Sequence, residues 1–597
     1  MAATHGLPRL FALLIAALPM ATMANGEERQ AYFGDLHVHT RYSFDAFMFG
    51  TRATPDDAYR YARGEAITHP AGYQIQLDRP LDFYAVTDHG FFLGMWSAMT
   101  DPRHPLAQDP QARRFLDANT AAARGQVYSA SIQFLATHPD PRAVRSAWQE
   151  IIASAQRNYE PNKLTTFISY EYTSSREGNL HRNVIFRGDQ APDVPFTRIN
   201  SLNPEKLWDW MDNLRGQGIE ALAIPHNSNG SNGHMFELQT FDGGPLNEAY
   251  AEQRMRNEPL VEITQVKGTS DTHPFLSPND EWADFEIFPY RIASWLKSAP
   301  RGSYVRDAYM NGLQLQQERG INPYRFGIIG SSDTHNAGPS LDESNFVSKI
   351  GSFDATAQRR GSVAVSSADG FATYRETYYR YWGASGLAGV WAEENTRDSI
   401  FDAFRRKETF ATSGPRMRVR FFTGYDLSDN LIEDRDLVGK AYANGVPMGG
   451  DLLGKRRASP SFLVWALRDP VGTSLQRLQV IKGWTDKGVA REQVFDVACS
   501  NGQVDSNTHR CPDNGASVDL IDCSVTENVG ADELKVVWQD PTFNPRQRAF
   551  YYVRALENPT CRWSTWDAIR AGAAPRQDLA QTLQERAWSS PIWYHPR

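Results

Sequence analysis

Cysteine is scarce in this chain of 597 residues, and its four copies lie far from the histidine motifs, at Cys499, Cys511, Cys523 and Cys561. This placement excludes a thiolate ligand or a cysteine nucleophile beside those motifs. In an exported protein, an even cysteine count indicates disulfides. The simplest pairing is Cys499–Cys511 and Cys523–Cys561, although three pairings are possible. No Cys-x-x-Cys spacing occurs, so a structural zinc site is disfavoured.

A basic excess and long apolar runs are also missing. The net charge is −8 and the pI is near 6.0, so no nucleic acid is expected as an obligatory partner. The stretch Leu10–Leu18 is too short to span a membrane. The segment Thr22–Ala24 has small residues at the positions that a signal peptidase recognises. This predicts a signal peptide over residues 1–24 and a soluble protein exported to the periplasm or beyond.

What the sequence does contain is a His-x-His motif on a predicted strand. Residues 32–40 alternate, and residues two apart in a strand point to the same side. His37 and His39 therefore direct both imidazoles to one place, which is half of a transition-metal site. Asp35 lies on the same side and could support one of these histidines. Asp45 follows the strand in a loop that could fold back as a carboxylate ligand.

The same arrangement recurs along the chain. Four further apolar runs end in metal-ligand residues: Asp88-His89, Glu171, His226 and Asp333-x-His335. A hairpin after Glu171 would return His181 beside it. Barrels of alternating strands and helices carry their chemistry at the carboxyl ends of the strands. The pattern predicts one shared metal site rather than scattered surface histidines.

In this order, the motifs resemble those of the PHP (polymerase and histidinol phosphatase) superfamily over about residues 30–412. The opening Tyr32–Thr40, the segment Ser331–Asn336 and the closing Glu585–Tyr594 resemble the DUF3604 branch, across nearly the whole mature chain. The resemblance implies an α/β fold, a PHP-like distorted (β/α)7 barrel. It also implies nine metal ligands, with Glu171 bridging two ions: His37, His39, Asp45, His89, Glu171, His181, His226, Asp333 and His335. Asp45 departs from the family pattern, because it follows the second histidine one residue later than is common there.

Nine ligands are too many for one ion and predict two or three divalent ions. Imidazoles and carboxylates without thiolates suit Zn, Mn or Fe. We expect hydrolysis of a small phosphate ester by a metal-bound hydroxide. Arg176 and Arg182 are candidate phosphate contacts, and His335 or His226 is a candidate proton donor to the leaving oxygen. The alternatives are hydrolysis of an amide, lactone or sulfate ester, and a non-catalytic metal- or carbohydrate-binding protein.

Three regions are expected after the signal peptide. Residues 25–414 form the barrel, and within them about 92–165 is a helical insertion that either caps the site or packs on the barrel side. From residue 415 the pattern changes to short strands separated by Gly, Pro, Asp and Asn. This predicts a β-rich C-terminal domain over 415–597, resembling a sandwich. The sequence does not fix the oligomeric state.

Overall fold

Strands alternate with helices through the first two thirds of the chain, and strands dominate the rest. The computed structural model describes residues 29–368, 371–456 and 458–597. The predicted signal peptide therefore lies outside the described residues. None of the helices within these ranges has the length and apolar character needed to cross a bilayer.

The strands up to residue 412 are short, and several end at the predicted ligands. Their bounds are β1 Gln30–Val38, β2 Ile67–Thr68, β3 Gln74–Ile75, β4 Phe83–Val86, β5 Thr165–Phe167, β6 Ser169–Tyr172, β7 Arg182–Phe186, β8 Ala221–Pro225, β9 Leu260–Gln265, β10 Gly268–Thr269, β11 Gly327–Gly330, β12 Ser366–Ala368, β13 Phe371–Thr373, β14 Leu387–Ala392 and β15 Thr409–Thr412.

The later strands include several of 11 to 13 residues. Their bounds are β16 Arg418–Gly424, β17 Val446–Pro447, β18 Asp451–Leu453, β19 Ser461–Leu467, β20 Leu475–Asp486, β21 Val489–Cys499, β22 Glu533–Gln539, β23 Ala549–Cys561, β24 Thr582–Ser589 and β25 Ile592–His595. The helices are α1 Phe44–Phe49, α2 Pro55–Ala62, α3 Met95–Ala98, α4 Pro110–Leu116, α5 Ala121–Thr137, α6 Pro141–Arg157, α7 Pro204–Gly216, α8 Glu248–Asn257, α9 Val305–Arg319, α10 Ala357–Arg360, α11 Arg397–Arg406, α12 Leu437–Asn444 and α13 Trp563–Arg570.

Local sequence explains where these helices begin. Thr54 caps α2 by accepting from the backbone N–H of Asp57, whose carboxylate returns to the Thr54 backbone. Asp140 caps α6 by accepting from the backbone N–H groups of Arg142 and Ala143, and Pro141 occupies the first position of the helix. The segment between His89 and Glu171 includes two helices of 17 residues, α5 and α6.

The largest sheet is mixed and has 11 strands. Its main order is β18-β25-β23-β24-β15-β14-β1-β4-β5, and β20 and β21 extend it from β23. Strands β1, β4 and β5 are parallel, whereas β14 is antiparallel to β1. Because β15 pairs with β24, this sheet continues across residue 414 into the C-terminal region.

Smaller sheets bring further strand ends close to the end of β1. Strands β6, β7 and β8 form one antiparallel sheet, and β11 pairs with β9 in parallel. Two isolated bridges, His89 with Glu171 and Val38 with Thr334, link these sheets to β4 and β1. Gly330 lets β11 lie close to β14, because an added Cβ would be 2.8 Å from the backbone nitrogen of Leu387.

A separate antiparallel sheet, β17-β16-β19-β22, lies in the C-terminal region. Both predicted disulfides are confirmed there. The Cα atoms are 5.6 Å apart in Cys499–Cys511 and 5.7 Å apart in Cys523–Cys561. Disulfides persist in oxidising compartments, so the pair is consistent with an extracellular location.

Candidate metal centre

The end of β1 brings two imidazoles to the carboxylates of other strands. The Nε2 atom of His37 lies 3.4 Å from Glu171 Oε2, and the Nε2 atom of His39 lies 3.3 Å from the same oxygen. Both nitrogens are also within 3.5 Å of Asp333 Oδ1. Leu36 and Val38 are buried on the opposite side of the strand, as the alternation predicts.

Glu171 lies at the middle of the group. Its Oε1 atom is 2.8 Å from His181 Nδ1 and 3.2 Å from His89 Nδ1. Its Oε2 atom faces His37 and His39, and His226 Nε2 is 3.8 Å away. The hairpin of β6 and β7 returns His181 beside Glu171, so this one carboxylate joins two sets of imidazoles.

Asp45 reaches the group because the chain turns into α1 directly after Ser43. The carboxylate lies in the first turn of that helix, and its Oδ2 atom is 3.0 Å from His335 Nε2 and 3.2 Å from His89 Nε2. The later position of Asp45 is therefore compatible with contact to both histidines.

Asp333 and Asn227 sit at strand ends in left-handed backbone conformations, with φ values of 57° and 48°. Such conformations cost energy in residues other than glycine and concentrate at functional sites. Asp333 is buried, and each of its carboxylate oxygens has a basic neighbour. Lys349 Nζ is 3.1 Å from Oδ1, and Lys267 Nζ contacts Oδ2.

Four groups of three side chains place their donor atoms within 4.8 Å of one another. They are His39/His89/His335, His37/His39/Asp333, His37/His226/Glu262 and Glu171/His181/His226. Within the described residues, several of these imidazole nitrogens are buried with no hydrogen-bond partner: His37 Nε2, His39 Nε2, His226 Nδ1 and His226 Nε2. Because buried polar atoms are almost always paired, these orphaned nitrogens fit coordination of a metal ion.

A set of surrounding side chains fixes the histidine rings. Glu262 Oε2 is 2.9 Å from His37 Nδ1, Ser43 Oγ is 2.9 Å from His39 Nδ1, and Thr173 Oγ1 is 2.6 Å from His89 Nδ1. Partners of this kind set the tautomer and orientation of metal-binding imidazoles. Asp88 holds the backbone beside these partners, because it accepts hydrogen bonds from the N–H groups of Thr40 and Ser43.

Asp35 does not contact a histidine ring. Its Oδ1 atom accepts from the backbone N–H groups of His37 and Ser332, which ties β1 to the segment after β11. Burial raises the pKa of Asp35 to about 7.

The pKa values at the centre depend on two effects, burial and the charges of close neighbours. Burial would lower the pKa of His89, but the carboxylates of Glu171 and Asp45 outweigh it and raise that pKa to about 10. Burial together with the Lys349 ammonium lowers the pKa of His335 to about 3. Burial would raise the pKa of Glu171, yet its histidine neighbours hold it well below the usual range.

The structure brings together all nine sequence-predicted ligands, but the two arginines are engaged elsewhere. Arg182 is buried, donates to Glu258 Oε1 at 2.9 Å and to the carbonyl of Leu180. Arg176 is exposed and donates to the carbonyl of Phe241. Neither guanidinium contacts the nine ligands, because each is held by a nearer partner.

Sequence reasoning missed the two lysines. Lys267 follows the end of β9, so the rule that located the other residues at strand ends also points to it. Lys349 lies in an irregular loop, and its Nζ atom is 2.8 Å from His335 Nδ1. No sequence pattern marks that loop. Glu262, which contacts His37, lies on β9.

Comparison with known proteins places this chain in a family. The profile described as "Protein of unknown function (DUF3604)" matches residues 26–596, so the chain belongs to the DUF3604 family. Among curated proteins, none matches.

A search of solved structures returns the crystal structure of a two-domain protein from Bacteroides vulgatus, described as containing a predicted PHP-like metal-dependent phosphoesterase. It shares 11% identity, covers 92% of this chain and 94% of that chain, and has a TM-score of 0.28.

Proposed function

We propose that this protein is an exported, metal-dependent phosphoesterase. The observation that carries the proposal is the convergence of nine imidazole and carboxylate side chains in which buried ring nitrogens have no hydrogen-bond partner. Nitrogen and oxygen donors without thiolate suit two or three ions of Zn, Mn or Fe. Bound there, such ions would activate water and offset negative charge on the ester.

The chain's own residues hold and orient these ions. Glu171 would bridge, because its two oxygens face different imidazole sets. Asp45 would bind an ion together with His89 and His335, and Asp333 would bind one together with His37 and His39. His181, His226 and the remaining donors complete the ligand set named from the sequence.

Lys267 and Lys349 are better placed than Arg176 and Arg182 to recognise an anionic substrate group. Both ammonium groups contact Asp333 at the centre. Positive charge at this position favours a phosphate ester over a neutral amide or lactone. His335 and His226 remain the candidates to protonate the leaving oxygen, and His335 is the slightly more exposed of the two, at 4% against 0%.

The architecture that we propose around the site is a distorted seven-stranded barrel within residues 25–414. The pairings of β1 with β4, of β6, β7 and β8, and of β9 with β11, with the two bridges between them, support it. Residues 415–597 would form the β-rich C-terminal domain, in which the sheet β17-β16-β19-β22 supports a sandwich.

Residues 92–165 would act as a cap. Tyr128 on α5 stacks on Phe49 with ring centroids 5.5 Å apart, and the Phe49 ring is 5.7 Å from that of His335. The insertion therefore contacts Phe49, whose ring lies beside the metal centre. In this position it would select the substrate and exclude water.

The test is elemental analysis of the purified protein beside the double variant His37→Ala/His39→Ala, with phosphate release measured on a panel of esters. We expect two or three ions per chain in the wild type, and loss of both ions and phosphate release in the variant. His69→Gln is a matched control, because His69 is equally buried but bonds to the backbone of Ala71 outside the centre.

Metal without phosphate release would retain the site and reject the phosphate ester. The same panel extended to amides, lactones and sulfate esters, with product identification, would then define the bond. Absence of stoichiometric metal in the wild type would reject the whole proposal.

A further inference from the structure

A cavity of about 950 Å³ lies apart from the metal centre, between the first part of the chain and the C-terminal strands. None of the nine ligands lines it. Its walls come from segments 74–79, 339–345, 414–416, 468–474, 516–529 and 557–560. Its volume is typical of pockets that bind small organic molecules.

Three buried glutamates line this cavity. Glu557 is 1% exposed, and Glu343 and Glu585 are each 5% exposed. Glu557 lies on β23 and Glu585 on β24. The pairing of these strands shifts between Leu556/Arg586 and Pro559/Gln584, so two residues of β23 oppose the single residue Glu585. Bulges of this kind redirect side chains, and here the bulge sets Glu557 beside Glu585.

None of these three carboxyl groups has a cationic partner within the described part of the chain. Glu343 accepts from the backbone N–H groups of Ala384 and Trp563, and Glu585 from the hydroxyl of Ser413. Glu557 Oε2 accepts from Thr473 Oγ1 at 3.1 Å, whereas its Oε1 atom is buried with no partner at all.

The arginines of the cavity wall do not neutralise the glutamates, because they are already engaged. Arg79 pairs with Asp469 at 2.9 Å, and Arg468 pairs with Asp532 at 2.5 Å. Arg416 donates to the carbonyls of Arg79 and Pro80. The wall therefore presents buried carboxyl groups to the cavity, and its arginines are held by other partners.

Buried carboxylates are costly unless they are paired, and otherwise they stay protonated. Burial raises the pKa of Glu557 to about 8, and burial with repulsion from Glu286 raises that of Glu343 to about 8. A cation entering the cavity would supply the missing partner.

A single metal ion does not fit this arrangement. Across the described residues, groups of three donor atoms within 4.8 Å of one another occur at the metal centre and not among these glutamates. Carboxyl groups that are spread over a large cavity suit an extended cation with separated charges.

We propose that this cavity binds a small organic polyamine, whose amino groups pair with Glu557, Glu585 and Glu343. The binding is independent of the hydrolytic reaction proposed above. The partner is defined by its chemistry: at least two ammonium groups on a flexible chain, with no requirement for coordination geometry.

The test is calorimetric titration of spermidine into the full chain at about 0.15 M salt, where surface attraction to a protein of net charge −8 is largely screened. We expect one saturable site. Glu557→Gln removes one buried charged contact at constant shape and should weaken binding about tenfold or more. Glu527→Gln, a change at the exposed rim, should leave affinity within about twofold.

A second variant keeps the charge and blocks the space. In Gly472→Ala, the new methyl carbon would lie 3.0 Å from Glu557 Oε1 and 3.2 Å from Oε2. It should also weaken spermidine binding, and it provides the test if Glu557→Gln does not fold. The proposal would be overturned if the wild type does not bind spermidine, or if both cavity variants bind it as tightly as the wild type does. So would stoichiometric Ca²⁺ binding lost in Glu557→Gln without spermidine binding.

Discussion

The metal centre and the acid-lined cavity both bury several carboxyl groups, yet the pKa values of these groups shift in opposite directions. At the centre, imidazole and ammonium groups surround Glu171 and Asp333, and the pKa values of both carboxyls lie well below the usual range. In the cavity, Glu557 has no such neighbour, and burial raises its pKa to about 8. Burial alone therefore does not decide the charge of a carboxyl group; its partners do.

The largest effect is expected from Glu171→Gln, which leaves the size of the side chain unchanged but removes the charge facing two sets of imidazoles. Hydrolytic turnover should fall about 1000-fold, and elemental analysis should show fewer ions per chain. Glu557→Gln is the matched control, since it neutralises an equally buried glutamate in the other group. Full metal content and turnover in Glu171→Gln would contradict the assigned role of the carboxylate.

The second effect is a loss of stability when the disulfide beside the cavity is removed. Cys523–Cys561 closes a loop of 38 residues that includes cavity-wall segments. Replacing both cysteines by serine should lower the free energy of unfolding by about 4 kcal/mol through the entropy of the unfolded chain. Denaturant titration measures this loss.

Native protein of the double serine variant should retain its metal and its turnover, because neither cysteine contacts the centre. Loss of metal at denaturant-free conditions, with the fold intact by circular dichroism, would show that the two regions are coupled.

The third effect is a pH dependence. The pKa of Glu557 is about 8 in the folded chain, above the unfolded value of about 4.3, so the folded state binds more protons between these values. Stability contributed by this proton is present at low pH and is lost as pH rises toward 8. Over pH 6 to 7.5 the wild type should lose about 2 kcal/mol that Glu557→Gln does not lose. Parallel stability profiles for the two proteins would contradict the raised pKa.

The smallest effect is expected from Lys349→Met. The ammonium contacts both Asp333 and His335, so its removal should misplace these side chains and reduce kcat/KM about tenfold. Lys482→Met is a suitable comparison, because Lys482 is also buried and pairs with Asp540, away from the centre. It should affect stability without changing turnover of the folded protein.

The sequence predicted the convergence of the histidines and carboxylates better than it predicted their surroundings. His37, His39, His89, Glu171, His226 and Asp333 lie at strand ends, and a strand's alternation fixes the side to which they point. Lys349 comes from an irregular loop, and the roles of Arg176 and Arg182 depended on whether a nearer acceptor was present. Such partners are set by tertiary packing, which no local pattern encodes.

The same reasoning explains why the cavity was not predicted. Glu343, Glu557 and Glu585 are far apart in sequence, and a register shift between β23 and β24 sets two of them together. The continuation of the large sheet across residue 414 was also unexpected. The change in sequence pattern suggested a boundary there, whereas hydrogen bonding between β15 and β24 does not follow such a change.

That continuous sheet has a consequence for the order in which the molecule is made. Ala411 pairs with Trp588, so the neighbour of β15 is synthesised long after β1, β14 and β15 themselves. Until then, β15 presents an unpaired edge on this side, which is a template for aggregation. Because closure over so many residues is slow, that edge of β15 stays open to incorrect pairing until residues 582–589 have been synthesised.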